Sequence, residues 1–492
     1  MTVDYDLVIL GGTAVGRYAA AQAVQWNARV ALVEPAPQVL QTQAHDLMAA
    51  LHHQTLIQAG DVAQQMRRSP FQGLHWGAAT ELPGAALQLQ WPETRSWAES
   101  IAEVLEDQGS QGHSLDLLAA AGVDVLVGQG EFCRLPRWGV SVNGRILRSR
   151  AFLLAPVVPA RVPAIAGLAN IDYLTLETLW QQSWTTLPDR LIILGSDPRG
   201  VELAQVFSRL GTQVTLITRT RLLPHEDHEA AQLIQAQLEA EGVIVLTQAI
   251  VHQVEPVGNA IALKVNDGTL AAEALLLATP GQLDLTALNL ASIGVKWHPH
   301  SIVVNSKLQT THAQVYACGE VLGGYVSQTL GRYEAAIALR NALFWTAATV
   351  RYQQVPLSLF THPELARVGL TEAQARQFER EPLFILKQFT KTLMKAQIQG
   401  ETTGFCKLIV RRNGEILGAH WVGTAASEAI GMIALAMQQR IKLGAIAQLP
   451  FVVSTHAELL QAIAQQWQQQ RLSRWQKTGV EAWFRLRRDW SS

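Results

Sequence analysis

Two segments of this chain repeat the same order of elements: an apolar strand, a glycine-rich turn, a helix and a second apolar strand. The first segment spans residues 6–34 and the second spans residues 190–219. In such a unit the glycines permit a tight turn, and the amides at the start of the helix face the pyrophosphate of a dinucleotide. One such turn alone is weak evidence, but two complete units predict an α/β chain with two Rossmann-like lobes.

Composition narrows the class of protein further. The chain has 492 residues and a net charge of −1, which favours two to four domains and no nucleic-acid partner. The N-terminus does not resemble a signal peptide, and we find no apolar stretch of about 18 residues that could span a membrane. The widely separated Cys133, Cys318 and Cys406 suit a reducing compartment. We therefore expect a soluble, cytoplasmic protein.

The pattern changes along the chain. Residues 35–70 are expected to be mostly helical, and the apolar run 274–279 is expected to be a buried strand of the second lobe. A long helix is predicted over residues 332–348. After Pro356, short alternating strands with turn signals and a helix over 425–440 indicate a separate α+β module.

Three further segments carry a resemblance to a known family. Residues 308–324 are similar to a second flavin motif, and residues 360–372 and 414–420 are similar to a dimerisation domain. Over about residues 4–465 the order of parts resembles the flavoprotein disulfide reductases, which include dihydrolipoamide dehydrogenase, glutathione reductase and mercuric reductase. Residues 317–324 resemble a mercuric-reductase-like branch found in cyanobacteria.

This resemblance implies two Rossmann-like lobes for FAD and NAD(P)H, a C-terminal α+β dimerisation domain, and assembly as a homodimer. The implied boundaries are an FAD-binding domain in two parts (1–155 and 283–353), an NAD(P)-binding-like domain (156–282), a dimerisation domain (354–465) and a helical tail (466–492).

The first glycine-rich turn is expected to hold the flavin pyrophosphate at the N-terminus of its helix. Thr13 stands where a second glycine usually lets the backbone approach the phosphates, so its Cβ is expected to intrude. Glu34, at the end of the second strand, is expected to accept the ribose hydroxyls. The predicted FAD-binding residues are Gly11, Gly12, Thr13, Ala14, Gly16, Glu34, Gly319 and Glu320.

The second turn departs further from the family pattern. Asp197 occupies the central glycine position and places a carboxylate beside the expected pyrophosphate, whereas Arg199 could neutralise that carboxylate. At the strand end, where the family's NAD-binding members carry an acid, this chain has Thr218 followed by Arg219 and Arg221. These cations favour NADPH over NADH; solvated surface arginines are the alternative interpretation. The predicted nicotinamide-nucleotide residues are Gly195, Asp197, Arg199, Gly200, Arg219 and Arg221.

The family's disulfide chemistry is missing from the sequence. Family members carry two cysteines about five residues apart after the first acidic strand end, but residues 35–53 contain neither cysteine nor lysine. Val453 stands in place of the family's catalytic histidine, and His456 is out of register. Glu202 matches the family's acid near the nicotinamide and is the tentative catalytic residue. The three cysteines suit buried structural roles.

Other polar groups are given no catalytic role. Residues 225–228, with two histidines and two acids, are interpreted as helix capping and a solvated surface, so no metal site is predicted. His52 and His53 are adjacent on a helix, and the sequence assigns them no function.

Two functions are the main alternatives at this stage, and a transhydrogenase-like exchange between nicotinamide nucleotides is a third. One is an FAD enzyme that takes hydride from NAD(P)H and passes electrons to a small-molecule acceptor such as a quinone, a metal ion or oxygen. The other is a catalytically degenerate homologue that acts as a binding or regulatory module. The tail at 480–490 has aromatic residues and a basic side; it is interpreted either as a membrane-surface contact or as packing on the partner subunit or the body.

Overall fold

The computed structural model describes residues 3–35, 46–68, 90–107, 114–134, 138–471 and 474–490. The chain forms two compact units. The first unit contains Met1–Pro224 and Gln235–Val350, and the second contains His225–Ile234 and Arg351–Ser492. Parallel sheets in the first unit and an antiparallel sheet with helices in the second confirm the predicted α/β class.

The chain begins with a strand–helix–strand unit at the first glycine-rich turn. The elements of this region are β1 (Tyr5–Leu10), α1 (Ala14–Gln25), β2 (Val30–Glu34), α2 (Asp46–Arg68), α3 (Trp91–Asp107), α4 (Leu115–Ala120), β3 (Asp124–Val127), β4 (Gly130–Cys133), β5 (Gly139–Val142), β6 (Arg145–Leu147) and β7 (Ser149–Leu154). Helix α2 confirms most of the helix predicted over residues 35–70. Residues 36–45, in the segment where the family carries its cysteines, lie outside the described residues.

The second strand–helix–strand unit follows, and a return to the first lobe comes after it. The elements are β8 (Leu174–Thr175), β9 (Arg190–Gly195), α5 (Pro198–Arg209), β10 (Gln213–Ile217), α6 (His228–Ala240), β11 (Ile244–Leu246), β12 (Val251–Val257), β13 (Ala260–Val265), β14 (Gly268–Ala272), β15 (Ala274–Ala278), β16 (Trp297–His298), β17 (Ser301–Ile302), β18 (Val315–Ala317) and α7 (Gln328–Leu343). Strand β15 is fully buried, as predicted.

Helix α7 begins and ends earlier than the helix predicted over residues 332–348. The side chain of Asn341 explains the end of the helix, because its Nδ2 donates to the carbonyls of Lys307 at 2.9 Å and Ala348 at 2.8 Å. These bonds hold the chain after Leu343 in a loop, so the apolar residues there do not continue the helix.

Two parallel sheets organise the first unit. One has the strand order β18-β7-β1-β2-β3 and the other has the order β11-β10-β9-β15-β8. Their central strands are apolar and almost completely buried, as expected for parallel strands covered on both faces. Because ligands of such sheets bind at the carboxyl ends of the strands, each glycine-rich turn lies at the edge where a nucleotide is expected.

The second unit contains the C-terminal α+β module. Its elements are β19 (Leu357–Leu359), β20 (Leu365–Gly369), α8 (Glu372–Phe378), β21 (Leu383–Phe389), α9 (Met394–Gln399), β22 (Phe405–Arg411), β23 (Ile416–Val422), α10 (Ala426–Gln438), α11 (Leu443–Ile446), α12 (Glu458–Arg471) and α13 (Arg474–Asp489). The sheet is antiparallel with the order β19-β20-β23-β22-β21. The buried Trp421 and Trp467 contribute to one core between sheet and helices. The predicted helix over 425–440 is confirmed as α10.

The interpretation of residues 225–228 as a solvated acidic surface is wrong. Glu226 and Asp227 are only 4% and 3% exposed, because each pairs with a cation of the second unit. Arg367 Nε lies 2.9 Å from Glu226 Oε2, and Lys407 Nζ lies 2.8 Å from Asp227 Oδ1. The sequence could not indicate these partners, since they lie more than 100 residues away.

The capping part of that interpretation is confirmed. Asp227 Oδ1 accepts a hydrogen bond from the amide of Ala230 at 3.4 Å, in the first turn of α6. Across the described ranges, no group of three or more histidine, cysteine or acidic side chains could hold a metal ion. In the same part of the chain, no helix combines the length and apolar character needed to cross a membrane.

His420, in β23, should make the second unit sensitive to acid. Its Nε2 donates to the carbonyl of Leu370 at 3.1 Å, while its buried Nδ1 has no hydrogen-bond partner among the described residues. Burial lowers the pKa of His420 to about 4. In the unfolded chain this imidazole is protonated below about pH 6.5, whereas in the folded chain it stays neutral down to about pH 4. The free energy of unfolding should therefore fall by about 3 kcal/mol as the pH is lowered from 6.5 to about 4.

Urea unfolding of the second unit, measured between pH 7.5 and 4, tests this prediction. His420→Gln keeps a donor for Leu370 but does not titrate, and it should flatten the pH dependence in this window. His225→Gln, at an exposed position of the same unit, is the matched control and should retain it. An unchanged pH profile in His420→Gln would contradict the assignment.

Candidate functional site

The first glycine-rich turn has the close backbone approaches of a dinucleotide-binding unit. Gly11 has φ +119°, and an added Cβ would lie 2.2 Å from the carbonyl oxygen of Ala155 at the end of β7. A Cβ at Gly16 would lie 2.2 Å from the carbonyl oxygen of Gly11. Both glycines are therefore required for α1 to begin directly beneath the turn.

Thr13 does not intrude as the sequence suggested; it caps helix α1. Its Oγ1 accepts from the amide of Gly16 at 3.1 Å and donates to the carbonyl of Ala155 at 3.0 Å. The side chain is turned inward and is only 6% exposed. Threonine therefore replaces a glycine here by satisfying one helix amide and tying the turn to the neighbouring strand.

Glu34 ends β2 with its carboxylate buried beside the turn. One oxygen, Oε1, accepts from Arg17 Nη2 at 2.9 Å, while the buried Oε2 has no hydrogen-bond partner among the described residues. Glu34 Oε2 also lies so close to Gly12 that a Cβ there would be 1.6 Å away. A buried carboxylate oxygen without a donor is costly, and the hydroxyls of a ribose would supply one.

The second flavin motif, which includes Gly319, lies beside the start of helix α1. Gly319, two residues after the end of β18, has φ +78°, and a Cβ there would lie 3.6 Å from the side chain of Val15 in the first turn of α1. The amide of Gly319 donates to the buried Glu334 of α7 at 2.8 Å. Residues 319 and 320, which the sequence assigned to the same cofactor as Gly11, therefore lie beside that turn.

The second glycine-rich turn repeats the backbone geometry of the first. Gly195 has φ +141°, with Ala278 carbonyl oxygen 1.8 Å from the position of an added Cβ. A Cβ on Gly200 would lie 2.5 Å from the Cβ of Ala278. Asp197 caps α5, since its Oδ1 accepts from the amide of Arg199 at 2.9 Å.

The Asp197 carboxylate is neutralised within the turn itself. The Arg199 guanidinium binds it through two contacts, Nε to Oδ1 at 3.1 Å and Nη2 to Oδ2 at 2.9 Å. Burial alone would lower the pKa of Arg199, but the charge and hydrogen bonds of Asp197 raise it above its ordinary value; Glu320 and Glu177 act in the same direction. The repulsion that the sequence predicted between Asp197 and a pyrophosphate is therefore offset by a cation two residues away.

The strand end after β10 is positively charged and open. Arg219 and Arg221 are both exposed, and Arg221 Nη2 donates to the carbonyl of Pro224 at 2.6 Å. Thr218, where related NAD-binding units carry an acid, is fully buried and donates to the carbonyl of Thr220 at 2.7 Å. Two exposed guanidinium groups at this edge suit a phosphate better than a neutral ribose.

The structure corrects the sequence analysis at His53. Its Nε2 lies 2.6 Å from Oε2 of Glu202 on α5, and both side chains are at least nine-tenths buried. These two atoms are within hydrogen-bond distance of each other. The tentative catalytic acid therefore has a titratable partner from α2, in the lobe of the first nucleotide.

Aromatic rings pack against the histidine side of this pair. His52 stacks on Trp180 with ring centroids 5.4 Å apart, and the ring of His53 meets Trp180 edge-on at 6.4 Å. Trp180 in turn stacks on Trp91 of α3 at 6.0 Å. Burial among such rings lowers the local dielectric, which strengthens a hydrogen bond between polar groups.

The packing of α2 on α5 places His53 opposite Glu202. A Cβ on Gly60 would lie 3.2 Å from Val206, and Arg209 of α5 pairs with Asp61 of α2 at 2.6 Å. The spacing of residues 53, 57 and 60 in α2 is that of one buried helix face. This spacing could have indicated from the sequence that His53 faces the interior. The sequence analysis did not use it, because His52 and His53 are adjacent and point in different directions.

The three cysteines are unsuited to thiol chemistry. Cys318, directly after β18, and Cys406, within β22, are completely buried, and burial raises the pKa of both thiols. Burial also raises the pKa of Cys133, whose Sγ donates to the carbonyl of Gly139 at 3.6 Å. Raised thiol pKa values keep these side chains protonated at neutral pH, which is consistent with structural roles.

The C-terminal segment offers no replacement for the missing base. Val453 is 70% exposed. Glu458 Oε2 accepts from the amide of Thr455 at 3.2 Å and so caps α12. His456 lies 3.1 Å from Gln399 and does not pair with Glu458 among the described contacts.

Two parallel Rossmann-like lobes, a second flavin-type motif beside the first turn and a C-terminal α+β module define the class of protein: an oxidoreductase with two dinucleotide-binding lobes. The family model described as pyridine nucleotide-disulphide oxidoreductase matches residues 5–341, and the model of its dimerisation domain matches residues 355–464. The chain belongs to this family. Members of the family bind FAD and use NAD(P)H.

Several known proteins are similar to the chain over most of its length. Mercuric reductase of Bacillus cereus is 31% identical over 90% of this chain and 68% of that protein. Mercuric reductase of Staphylococcus aureus is 32% identical, over 88% and 77% respectively. Dihydrolipoyl dehydrogenase of Bacillus subtilis is 28% identical, over 88% and 92%.

Solved structures support the fold. LpdA from Mycobacterium tuberculosis matches with a TM-score of 0.80 at 22% identity, over 94% of this chain and 99% of that chain. The flavoprotein disulfide reductase RclA from Escherichia coli matches with a TM-score of 0.77 at 23% identity, over 95% and 100%. At these identities the likeness concerns the fold alone.

Proposed function

We propose that this protein is an FAD-dependent oxidoreductase that oxidises NADPH and reduces a small acceptor other than a disulfide. The lack of a redox-active cysteine pair carries this proposal, because Cys318 and Cys406 are completely buried and burial raises the pKa of all three thiols of the chain. When bound, the flavin accepts a hydride and releases two electrons. Each turnover oxidises one NADPH, takes up one proton and reduces one two-electron acceptor such as a quinone.

The first lobe suits FAD. Gly11 and Gly16 place the N-terminus of α1 against the turn, where backbone amides face a pyrophosphate. The unpartnered Oε2 of Glu34 is positioned to accept from the adenosine ribose. Gly319 and Glu320 border the same turn and would hold the sugar chain of the flavin.

The second lobe suits a phosphorylated nicotinamide nucleotide. Arg199 forms an ion pair with the Asp197 carboxylate, so the net charge of the pair is zero. Arg219 and Arg221 provide exposed positive charge at the strand end, where the 2′-phosphate of NADPH is bound in Rossmann-like units. These features support NADPH over NADH.

In the proposed reaction, His53 and Glu202 transfer a proton close to the nicotinamide. Nε2 of His53 lies 2.6 Å from Oε2 of Glu202, and Trp180 packs against the rings of His52 and His53. An imidazole hydrogen-bonded to a carboxylate can pass on a proton, so the pair can supply the one proton that each turnover consumes. In this proposal Glu202 positions His53, and His53 is the group that exchanges the proton.

One observation favours a second function. The amide of Arg199 donates to Asp197 Oδ1, whereas in a nucleotide-binding turn this amide would face a phosphate. One of the amides that could bind a phosphate at the second turn is therefore already occupied by a side chain. A flavoprotein-like homologue that binds no nicotinamide nucleotide and serves as a binding or regulatory module would show this feature.

Anaerobic titration with NADPH decides between the two functions. The purified protein should be yellow, and we expect the flavin absorbance near 450 nm to bleach with about one equivalent of NADPH, faster than with NADH. The reduced protein should then pass electrons to a quinone but not to a disulfide such as lipoamide. A yellow protein that does not bleach at millimolar NADPH would support the regulatory module instead.

We further propose a homodimer through residues 354–465, within the predicted domain boundaries. The match of residues 355–464 to the family's dimerisation domain supports this assembly. So does exposed apolar surface in the module, where Met432, Leu435 and Val452 are 41%, 56% and 74% exposed. Light scattering at micromolar concentration should give twice the chain mass, and a stable monomer would refute the assembly.

A further inference from the structure

The last described helix, α13, separates its aromatic and basic side chains. Trp483, Leu486 and Trp490 lie at helical spacing within an arc of about 60°. Arg485 and Arg488 lie on the opposite side. The helix is therefore strongly amphipathic, with an apolar stripe and a basic stripe along its second half.

The structure does not cover this apolar stripe. The side chains of Trp490, Trp483 and Leu486 are 89%, 63% and 58% exposed. In contrast, Trp421 and Trp467 of the same unit are at most 1% exposed. These side chains therefore do not pack against the described part of their own chain, which leaves a membrane surface or the partner subunit to cover them.

Charge is distributed unevenly between the tail and the remainder. Residues 474–492 contain five lysine or arginine and two aspartate or glutamate residues, a net charge of +3. Since the whole chain carries −1, residues 1–473 carry −4. Positive charge is thus concentrated next to the exposed aromatic stripe.

We propose that α13 docks in the plane of an anionic lipid surface. Tryptophan rings are favoured at the boundary between headgroups and acyl chains, where the stripe of Trp483, Leu486 and Trp490 would be buried. Arginine guanidinium groups bind lipid phosphates through paired hydrogen bonds. This docking surface is independent of the proposed electron transfer and does not rest on it.

Charge complementarity favours lipid over a second copy of the helix. Two α13 helices brought together along their apolar stripes would place Arg487 of each chain, which flanks the stripe, near the other. An anionic bilayer instead attracts every basic residue of the tail and accepts the aromatic rings. An anionic lipid surface can therefore bury the apolar stripe and pair with the basic stripe at the same time.

Flotation of the full-length protein with vesicles tests this proposal. Vesicles of phosphatidylcholine alone are compared with vesicles containing phosphatidylglycerol, at low and high salt. We expect binding to the anionic vesicles to be at least about tenfold stronger, and to weaken as salt screens the headgroups.

Three variants separate the contributions of the two stripes. Trp483→Ala with Trp490→Ala should weaken binding at least about tenfold through lost apolar burial. Arg485→Gln with Arg488→Gln should weaken it about thirtyfold, since each basic residue near an anionic surface contributes about 1 kcal/mol. Deletion of residues 474–492 should abolish binding.

Matched controls lie outside the tail. Trp345→Ala removes a tryptophan that is 88% exposed in the first unit, and Arg412→Gln removes an exposed arginine of a hairpin turn. Both should bind anionic vesicles as the parent protein does. Equal binding to both kinds of vesicle, or binding that survives deletion of the tail, would overturn the proposal. Loss of a dimer on deletion, without vesicle binding by the parent, would instead assign the stripe to a second copy.

Discussion

Replacement of Arg199 by alanine should weaken NADPH binding by about three orders of magnitude. In the parent protein both carboxylate oxygens of Asp197 are held by the Arg199 guanidinium. Without it, the carboxylate faces the pyrophosphate as an uncompensated negative charge. Two such charges about 4 Å apart cost on the order of 4 kcal/mol at an effective dielectric near 20, which is about a thousandfold in the dissociation constant.

A double-mutant cycle separates this effect from simple loss of a cation. Asp197→Gly combined with Arg199→Ala should recover most of the lost affinity, because the repulsive partner is gone. The dissociation constants of NADPH and NADH can be measured by calorimetry, and both should respond, since the pyrophosphate is common to the two. Arg340→Ala, at an exposed position of α7, is the control and should change neither. Equal affinities of Arg199→Ala and the parent would show that no pyrophosphate binds at this turn.

Replacement of Glu34 by glutamine should weaken FAD binding about tenfold to a hundredfold. The carboxylate is the acceptor at the end of β2, and a hydrogen bond to a charged group contributes about 1.5–3 kcal/mol. Glutamine keeps the size of the side chain but places a donor where acceptors are needed. Fluorescence of free FAD during its titration into the apoprotein measures the loss.

A second readout distinguishes cofactor binding from stability. Glu34 and Arg17 are buried partners at 2.9 Å, so removing only one charge should destabilise the apoprotein by about 3 kcal/mol. Glu34→Gln with Arg17→Met should recover the melting temperature of the apoprotein but not its affinity for FAD. Glu381→Gln, at an exposed position, should affect neither. Unchanged FAD affinity in Glu34→Gln would remove Glu34 from the cofactor site.

The sequence was sufficient for the fold and for the backbone of both nucleotide turns. The reason is that glycine spacing and apolar strands are local features, and Gly11 and Gly195 must have positive φ for their turns to form. The exposed or buried state of single polar groups is not local. The sequence predicted that the side chain of Thr13 would obstruct a phosphate. It could not show that this side chain is turned inward by its hydrogen bond to the carbonyl of Ala155, which is 142 positions away.

Partners distant in sequence explain the remaining errors. His53 and Glu202 are separated by 149 positions, and only the packing of α2 on α5 brings them together. Asp227 was assigned to the surface because its partner Lys407 is 180 positions away. Sequence patterns indicate that a side chain faces a core, but they do not identify the group it meets there.

The burial of Cys318 and Cys406 has a consequence for the chemical reactivity of the protein. Alkylating agents, soft metal ions and mild oxidants attack thiolates, and burial raises the pKa of these two thiols and of the less shielded, partly buried Cys133. The proposed reduction of a non-disulfide acceptor should therefore survive treatment of the protein with an alkylating agent.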